Sequence, residues 1–449
     1  MLTPQSEVPP HIQPAVTTKR LVWLLAAALL LALALAKFVY EDALRLEYPV
    51  NDLITPWISS QVFLHGKSPY SDTQEYGRIF AAARIPPTAR YEDYLDVLSI
   101  YPRVYPPTTM LMLVPLGYLD WRTALYVYLI GSSALFIWSL WVLARKIKLP
   151  LNDPQRLYFL AFALAMAPLH SSIHESNLNT AAIACLCAGV GLMSTRPYLS
   201  GVAIAAGMCL KPQIAVFFFL YPWLRKKWKT ALTALAVCAA LFACSIVWMG
   251  IHHVTWFGDF LAELSQVTSP TGVNDFLDPD LTAFQMVNLK ILIFQFTQSL
   301  DWSGILTWAI FTLLAGVSVF LILSRVSEHN ESSGIAIVSV LTLLPVYQRF
   351  YTAEILLFVL YWSFENWRSK GAKSAHWLLL PLLFPLARMA TKNDAVARFT
   401  ENHNLNSNLI WRGFIMPHVI WIELIILLIL LASLYWQSPT PADSVAVHA

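Results

Sequence analysis

Residues 19–40 read KRLVWLLAAALLLALALAKFVY. The apolar run Leu21–Ala36 follows Lys19 and Arg20 and closes on Lys37, Phe38, Val39 and Tyr40. Basic residues ahead of such a run hold its start on the cytoplasmic side, while a lysine with aromatic neighbours anchors its far end at an interface. A removable leader would end in small residues at a cleavage point. None follows here, so the run reads as a first membrane span.

Composition extends that reading to the whole chain. Of 449 residues, 57% are hydrophobic and 13% charged, with mean hydropathy +0.56. Soluble domains carry roughly a quarter charged residues, so the chain reads as an all-α polytopic membrane protein. Its 17 Trp, 18 Tyr and 24 Phe suit interfaces and lipid-facing grooves. A net charge of +3, scattered along the chain, argues against a nucleic-acid partner. Cys185, Cys187, Cys209, Cys238 and Cys244 lie in apolar segments without CxxC spacing or a His cluster. They read as small core residues, and neither a disulfide framework nor a metal site is expected.

Outward from the first span, apolar runs recur at 123–144, 157–169, 178–193, 200–222, 230–250, 281–299, 303–324, 334–346, 350–366, 375–390 and 418–436, with a short one at 106–119. They predict about ten to thirteen transmembrane or re-entrant helices, since several fall short of the roughly 20 residues a straight span needs. Residues 1–18 read as a disordered cytoplasmic tail, 19–437 as one membrane domain and 438–449 as a flexible C-terminal tail. Basic turns around Arg145, Lys146 and Lys148, around Arg225 to Lys229, and around Arg368 to Lys373 join Lys19 and Arg20 on the cytoplasmic side. The loops 46–107 and 251–280, the turns 170–177 and 348–350, and 391–412 then face outward. This parity requires 106–119 not to cross fully and 200–222 to go out and back. Lys211-Pro212 suits the tip of that hairpin: proline breaks the helical ladder, and a lysine at the bilayer centre costs about 2.5 to 3.5 kcal/mol.

The insert Leu46–Pro107 is the least apolar part of the chain. It holds Asn51-Asp52, Thr55-Pro56, the segment Trp57–His65 and Gly66-Lys67-Ser68-Pro69-Tyr70. Thr55 reads as a helix N-cap, Pro56 as a first-turn residue and Gly66 as the residue past the helix end. Ile58, Val62 and Phe63 share a face of a segment too short to span. That predicts a helix lying in the interface, with Asp52 delivered just before it.

Taken in order, Asp52, Gly66-x-x-Pro69-Tyr70, Tyr105-Pro106-Pro107, Pro115-Leu116, Gly201, Gly207, Lys211-Pro212 and Trp228 resemble glycosyltransferase family 87 across roughly residues 20–370. The resemblance implies a GT-C-type helical bundle with a large first external loop. It implies an enzyme that takes a hexose, usually mannose, from a polyprenyl-phosphate donor and passes it with inversion to a hydroxyl of a glycolipid or glycan. The lipid-linked sugar is then a co-substrate, with no metal or other cofactor. The expected location is the inner (plasma) membrane of a bacterium, among membrane lipids, with the active site on the external, periplasmic face. The sequence departs from the family at two places. Ser176-Asn177-Leu178-Asn179 stands where Gly-Gln-x-Asn is common, and Leu344–Tyr351 replaces a late Ser-Pro-x-Ser-Trp-x-His turn.

Under that resemblance Asp52 maps onto the base that accepts the proton of the acceptor hydroxyl; the competing reading is a turn residue ahead of a helix. Lys211, Arg349 and Arg103 are candidates for the donor phosphate. A snorkelling lysine and an interfacial Arg–aromatic belt are the alternatives for the first two. Glu175, Asn177 and Asn179 are candidates for sugar or acceptor hydroxyls, and so are Gln348 and Tyr351 beside Arg349. His170 and His174 are four apart, but Glu175 follows the second histidine and no third ligand is evident, so a metal pair is not expected. His65 and Tyr70 read as structural, the loop after His252 as acceptor-binding, and Glu354 as an ion partner for Arg349. The rival class is a transporter or flippase of lipid-linked sugars, which predicts repeats and polar residues at the middle of several spans. Here ionisable residues other than Lys211 sit at segment ends, which favours chemistry at a surface.

Overall fold

In hydrocarbon every backbone donor and acceptor must be satisfied within the segment, so apolar runs of this kind close into helices. The structure, a computed structural model, describes residues 18–45, 52–71, 73–83, 103–147, 154–267, 286–369 and 408–436, with 403 and 405. In chain order the helices are α1 (Thr18–Arg45), α2 (Ile54–Leu64), α3 (Thr73–Ala82), α4 (Pro107–Gly117), α5 (Trp121–Ala144), α6 (Pro154–Leu164), α7 (Ala167–His174), α8 (Asn179–Leu192) and α9 (Pro197–Leu210). They continue with α10 (Pro212–Leu224), α11 (Trp228–Ile251), α12 (Phe257–Val267), α13 (Leu289–Thr297), α14 (Leu300–Arg325) and α15 (Glu331–Leu343). A 3-10 helix (Phe350–Leu356) leads into α16 (Leu357–Ser369), and a π turn (Trp411–Ile415) precedes α17 (His418–Tyr435).

Among the described residues, five helices are long and apolar enough to cross a membrane: α1, α5, α11, α14 and α17. A sixth span is available if α6 and α7, bent by 45° at their junction, count together. The rest of the bundle is built from shorter apolar helices, α4, α8, α9, α10 and α15. The protein is thus an all-α polytopic membrane protein. Some apolar runs are less regular than expected. Residues 157–169 break around Ala165, 350–366 begin as a 3-10 helix, and the described part of 281–299, from Met286 on, is helical over Leu289–Thr297. The run 375–390 lies outside the described residues.

The stretch 197–224 folds as the hairpin its Lys211-Pro212 break predicts. A Cβ on Gly201 would meet Thr230 O and Thr233, while Cys238 Sγ lies 3.9 Å from Cys209 Sγ. Contacts that climb both helices together mean that α9 and α11 run parallel. Helix α10 must therefore return beside them before the Arg225–Lys227 turn starts α11. Lys211 stands at the hairpin tip with φ −151° and ψ 81°, outside helical geometry. At the opposite end, Lys146 and Lys227 both reach Glu331 at the start of α15.

Helix α2 is covered more fully than its amphipathic pattern implies. It starts at Ile54, so Thr55 lies inside it, and the capping position Leu53 offers no side-chain cap. Pro56, Trp57, Ser59, Ser60, Val62 and Phe63 are all buried. Its polar face is small rather than charged, which lets neighbouring helices close over it. Ser60 meets α4 where Gly117 leaves no room for a Cβ, and Trp57 donates to Leu116 O at 3.1 Å and packs on Trp121 at 5.2 Å. Gly66 does end the helix in the left-handed region, φ +67°, and a Cβ there would strike the His252 ring. Trp248 donates to Phe63 O at 2.9 Å. The first loop is thereby tied to the far end of α11, about 36 Å along the helix from its basic start.

Candidate active site

The site is assembled at the hairpin-tip end, around a turn between α7 and α8. Ser176 takes φ 47°, unusual for a residue with a side chain. The Asn177 amide bonds back to Ser172 O at 3.0 Å, which closes α7. The turn leaves Glu175 O free to accept from the Asp52 amide at 2.8 Å, pinning Asp52 ahead of α2.

Asn177 uses its whole side-chain amide. Its Nδ2 donates to Asp52 Oδ2 at 2.7 Å and to Tyr351 Oη at 3.1 Å. Its Oδ1 accepts from Lys211 Nζ at 2.6 Å and from the Asn179 amide at 3.1 Å. Lysine is only a donor and carboxylate only an acceptor, so these neighbours fix which way the amide points. The Asn177 carbonyl accepts from Tyr128 Oη at 2.6 Å, which holds the turn against α5. The Lys211 ammonium also lies 5.0 Å from the centre of the Tyr351 ring, within cation–π range. Asn179 donates to Tyr351 O at 3.0 Å.

Asp52 is half-buried, with protein around its carboxylate. Desolvation first and the charge of Glu175 second raise its pKa above the ordinary aspartate value; Arg349, the Asn177 hydrogen bond and Lys211 pull it back. Arg349 is half-buried, donates through Nε to Tyr347 Oη at 2.7 Å and lies within electrostatic reach of Asp52. Its backbone is held by an antiparallel bridge to Met286, and Gln348 O accepts from the Val287 amide at 2.8 Å. Gln348 Nε2 is buried without a hydrogen bond among the described residues.

The structure therefore gathers Asp52, Glu175, Asn177, Asn179, Lys211, Arg349 and Tyr351 into one constellation, with Gln348 beside it. Several expected roles change. Asn177 and Asn179 are buried, and their amide nitrogens serve Asp52 and Tyr351, so both brace the site. Arg103 is turned elsewhere: its amide donates to Glu263 at 2.7 Å, its guanidinium lies 3.7 Å from the same carboxylate, and it stacks over Tyr76 at 5.0 Å. Glu354 faces Lys211, Ser172 and Thr180 rather than pairing with Arg349. His170 is buried within α7 while His174 contacts Glu175 at 3.2 Å, so the two histidines serve different surroundings.

Sequence reasoning missed Tyr105, Thr109 and Tyr128. Tyr105 lies within electrostatic reach of Asp52 and Tyr351, and its carbonyl accepts from Tyr70 at 2.8 Å. Thr109 Oγ1 donates to Cys209 O at 2.6 Å and so moors the start of α4 to the hairpin tip. The Tyr105-Pro106-Pro107 motif was the available signal for the first two. Tyr128 carries none, because its role depends on a partner 49 residues away.

This geometry offers a carboxylate able to take a proton, a fixed amide steadying it, and a half-buried guanidinium able to meet an anion. A family model, glycosyltransferase family 87, matches residues 104–347. The matched region contains Asn177 and Lys211, while Asp52, Gln348, Arg349 and Tyr351 flank it. No curated protein and no solved structure matches the chain.

Proposed function

The chain belongs to glycosyltransferase family 87, matched over more than half its length, and from that premise we propose that this membrane glycosyltransferase uses Asp52 as the base in a single inverting displacement. The donor is a hexose, mannose by family likeness, linked to a polyprenyl phosphate. The acceptor is a hydroxyl of a glycolipid or glycan. As the acceptor oxygen attacks the anomeric carbon, its proton passes to the Asp52 carboxylate. The bond from that carbon to the phosphate oxygen breaks on the opposite face, which inverts the configuration. Charge grows on the departing phosphate, and Arg349, half-buried and within electrostatic reach of Asp52, is the cation assigned to meet it. Lys211 points inward to Asn177, so its contribution is to the field and to holding the amide. Glu175 and Tyr351, both half-buried beside Asp52, are the side chains that sugar hydroxyls would meet there. No metal is required, since a phosphate leaving group needs no strong acid and the cations supply the charge stabilisation.

The observation that carries this reading is the Asn177 bridge, which holds Asp52, Lys211 and Tyr351 in one hydrogen-bonded unit. The basic turns around Lys146 and Lys227 stand at the end of the bundle away from Asp52, and the positive-inside rule therefore supports an external site. In a bacterial cell that face is periplasmic. The test is a donor panel on the purified protein: polyprenyl-phosphate mannose, glucose and arabinose, each with a membrane glycolipid extract. The expected product is an α-linked mannolipid from the β-linked donor, read by NMR of the anomeric proton. A β-linked product would refute single displacement, and transfer of another sugar alone would refute the mannose assignment.

A further inference from the structure

Helix α12 is tied to the first loop on one side and open on another. A helix turns about 100° per residue, so its positions sort onto three faces. Asp259, Phe260 and Glu263 share the first, which grips the loop. Ser68 Oγ donates to Asp259 at 3.2 Å, the Arg103 amide donates to Glu263 at 2.7 Å, and the Phe260 ring packs on Tyr70 at 5.3 Å. The second face is apolar and uncovered among the described residues: Phe257, Leu261 and Leu264 are 59, 48 and 42% exposed. Gly258, Ala262 and Ser265 form the third, which is small, exposed and uncharged.

The start of α12 indicates what covers the apolar face. After α11 ends at Ile251, His253 takes φ 57° and the Val254 amide bonds back to Met249 O at 2.9 Å, so the chain reverses. The Trp256 ring then meets Phe242 at 6.4 Å. Phe242 stands nine residues before Ile251, about 14 Å back along the helix. It is exposed on a span of which only 17% is buried, a surface that belongs to lipid. Trp256 also contacts Phe257 at 5.4 Å, so an aromatic row joins the exposed surface of α11 to the apolar face of α12. With 11 residues α12 is too short to span. It carries no basic residue, and both its carboxylates lie on the face that grips the loop, so anionic headgroups have nothing to hold.

We propose that α12 lies in the membrane interface, with Phe257, Leu261 and Leu264 seated among the acyl chains of the bilayer and Ala262 turned to water. Through Ser68, Tyr70 and Arg103 the seated helix sets the depth of the first loop against the leaflet. Neither the seating nor its test rests on the transferase reading.

The test is spin labelling of the full-length protein in phosphatidylcholine nanodiscs. Cys238 and Cys244, the cysteines that are not buried, are replaced by alanine, and one cysteine is placed at Leu261, Phe257 or Ala262. Collisions with oxygen, which concentrates among acyl chains, are compared with collisions with a water-soluble nickel chelate. A label on the native Cys244 of α11 supplies the acyl-chain reference. Labels at Leu261→Cys and Phe257→Cys should favour oxygen as that reference does, and the label at Ala262→Cys should favour nickel. A Leu261 label that meets nickel as freely as the Ala262 label would put the face in water. One shielded from both reagents would put it under protein, such as a second copy of the chain. Either result would overturn the proposal. Phe257→Cys, one turn earlier, reads the same face if Leu261→Cys does not fold.

Discussion

Asp52 works as a base only when ionised, and its surroundings set where that happens. Burial and Glu175 raise its pKa, whereas Arg349 opposes them. The rate should fall on the acid side as Asp52 takes up its proton, with a midpoint above the ordinary aspartate value of about 3.9. Glu175→Gln removes a like charge, so the acidic limb of kcat/KM should move to lower pH. Arg349→Met removes the opposing cation, so the same limb should move up, with KM for the donor rising as well. Limbs that stay in place in both variants would show that another group titrates. At this scale the sequence was partly legible. Asp52 and Lys211 stood out because a carboxylate before a helix and a lysine before a proline are local signals. The bracing contacts of Asn177 were not legible, because its neighbours Leu178 and Asn179 say nothing about Lys211, 34 residues on. Glu354 was assigned a sequence neighbour when its field comes from another hairpin.

The elements positioning these residues depend on close approaches that can be broken one at a time. Gly66 holds a left-handed φ of +67° against the His252 ring. Gly66→Ala should therefore cost about 1 to 3 kcal/mol from the backbone alone. Thermal unfolding in detergent would read this as a lower Tm, and an unchanged Tm would mean the turn is not held as described. Thr109→Val removes the bond to Cys209 O and leaves a carbonyl short of a partner, a loss of roughly 1 to 3 kcal/mol. Helix positions were readable from apolar runs and from the Lys211-Pro212 break, since these are properties of the local chain. The burial of α2 was not. An amphipathic face of Ile58, Val62 and Phe63 predicts one buried side, but whether Ser59 and Ser60 are also covered depends on α4 offering Gly117 at the crossing. The bend between α6 and α7 has the same origin, in packing that no run of hydropathy records.

The whole molecule is polarised along the bundle axis, with a basic end at Lys146 and Lys227 and the Asn177 constellation at the other. In right-side-out vesicles a single cysteine at Lys67 should react with an impermeant maleimide, and one at Lys226 only after permeabilisation. The reverse pattern would put the site in the cytoplasm. Composition made the membrane class plain and the order of motifs pointed to the family; the match to glycosyltransferase family 87 agrees. The central claim remains chemical: Asp52 takes the acceptor's proton. Its most direct test is single-turnover transfer from radiolabelled polyprenyl-phosphate mannose in nanodiscs, comparing the unsubstituted chain with Asp52→Asn. Donor binding, read as a thermal shift, should survive in the variant while the transfer rate falls about 10² to 10⁴-fold. Transfer by Asp52→Asn at the unsubstituted rate would contradict the account and move the base to another group.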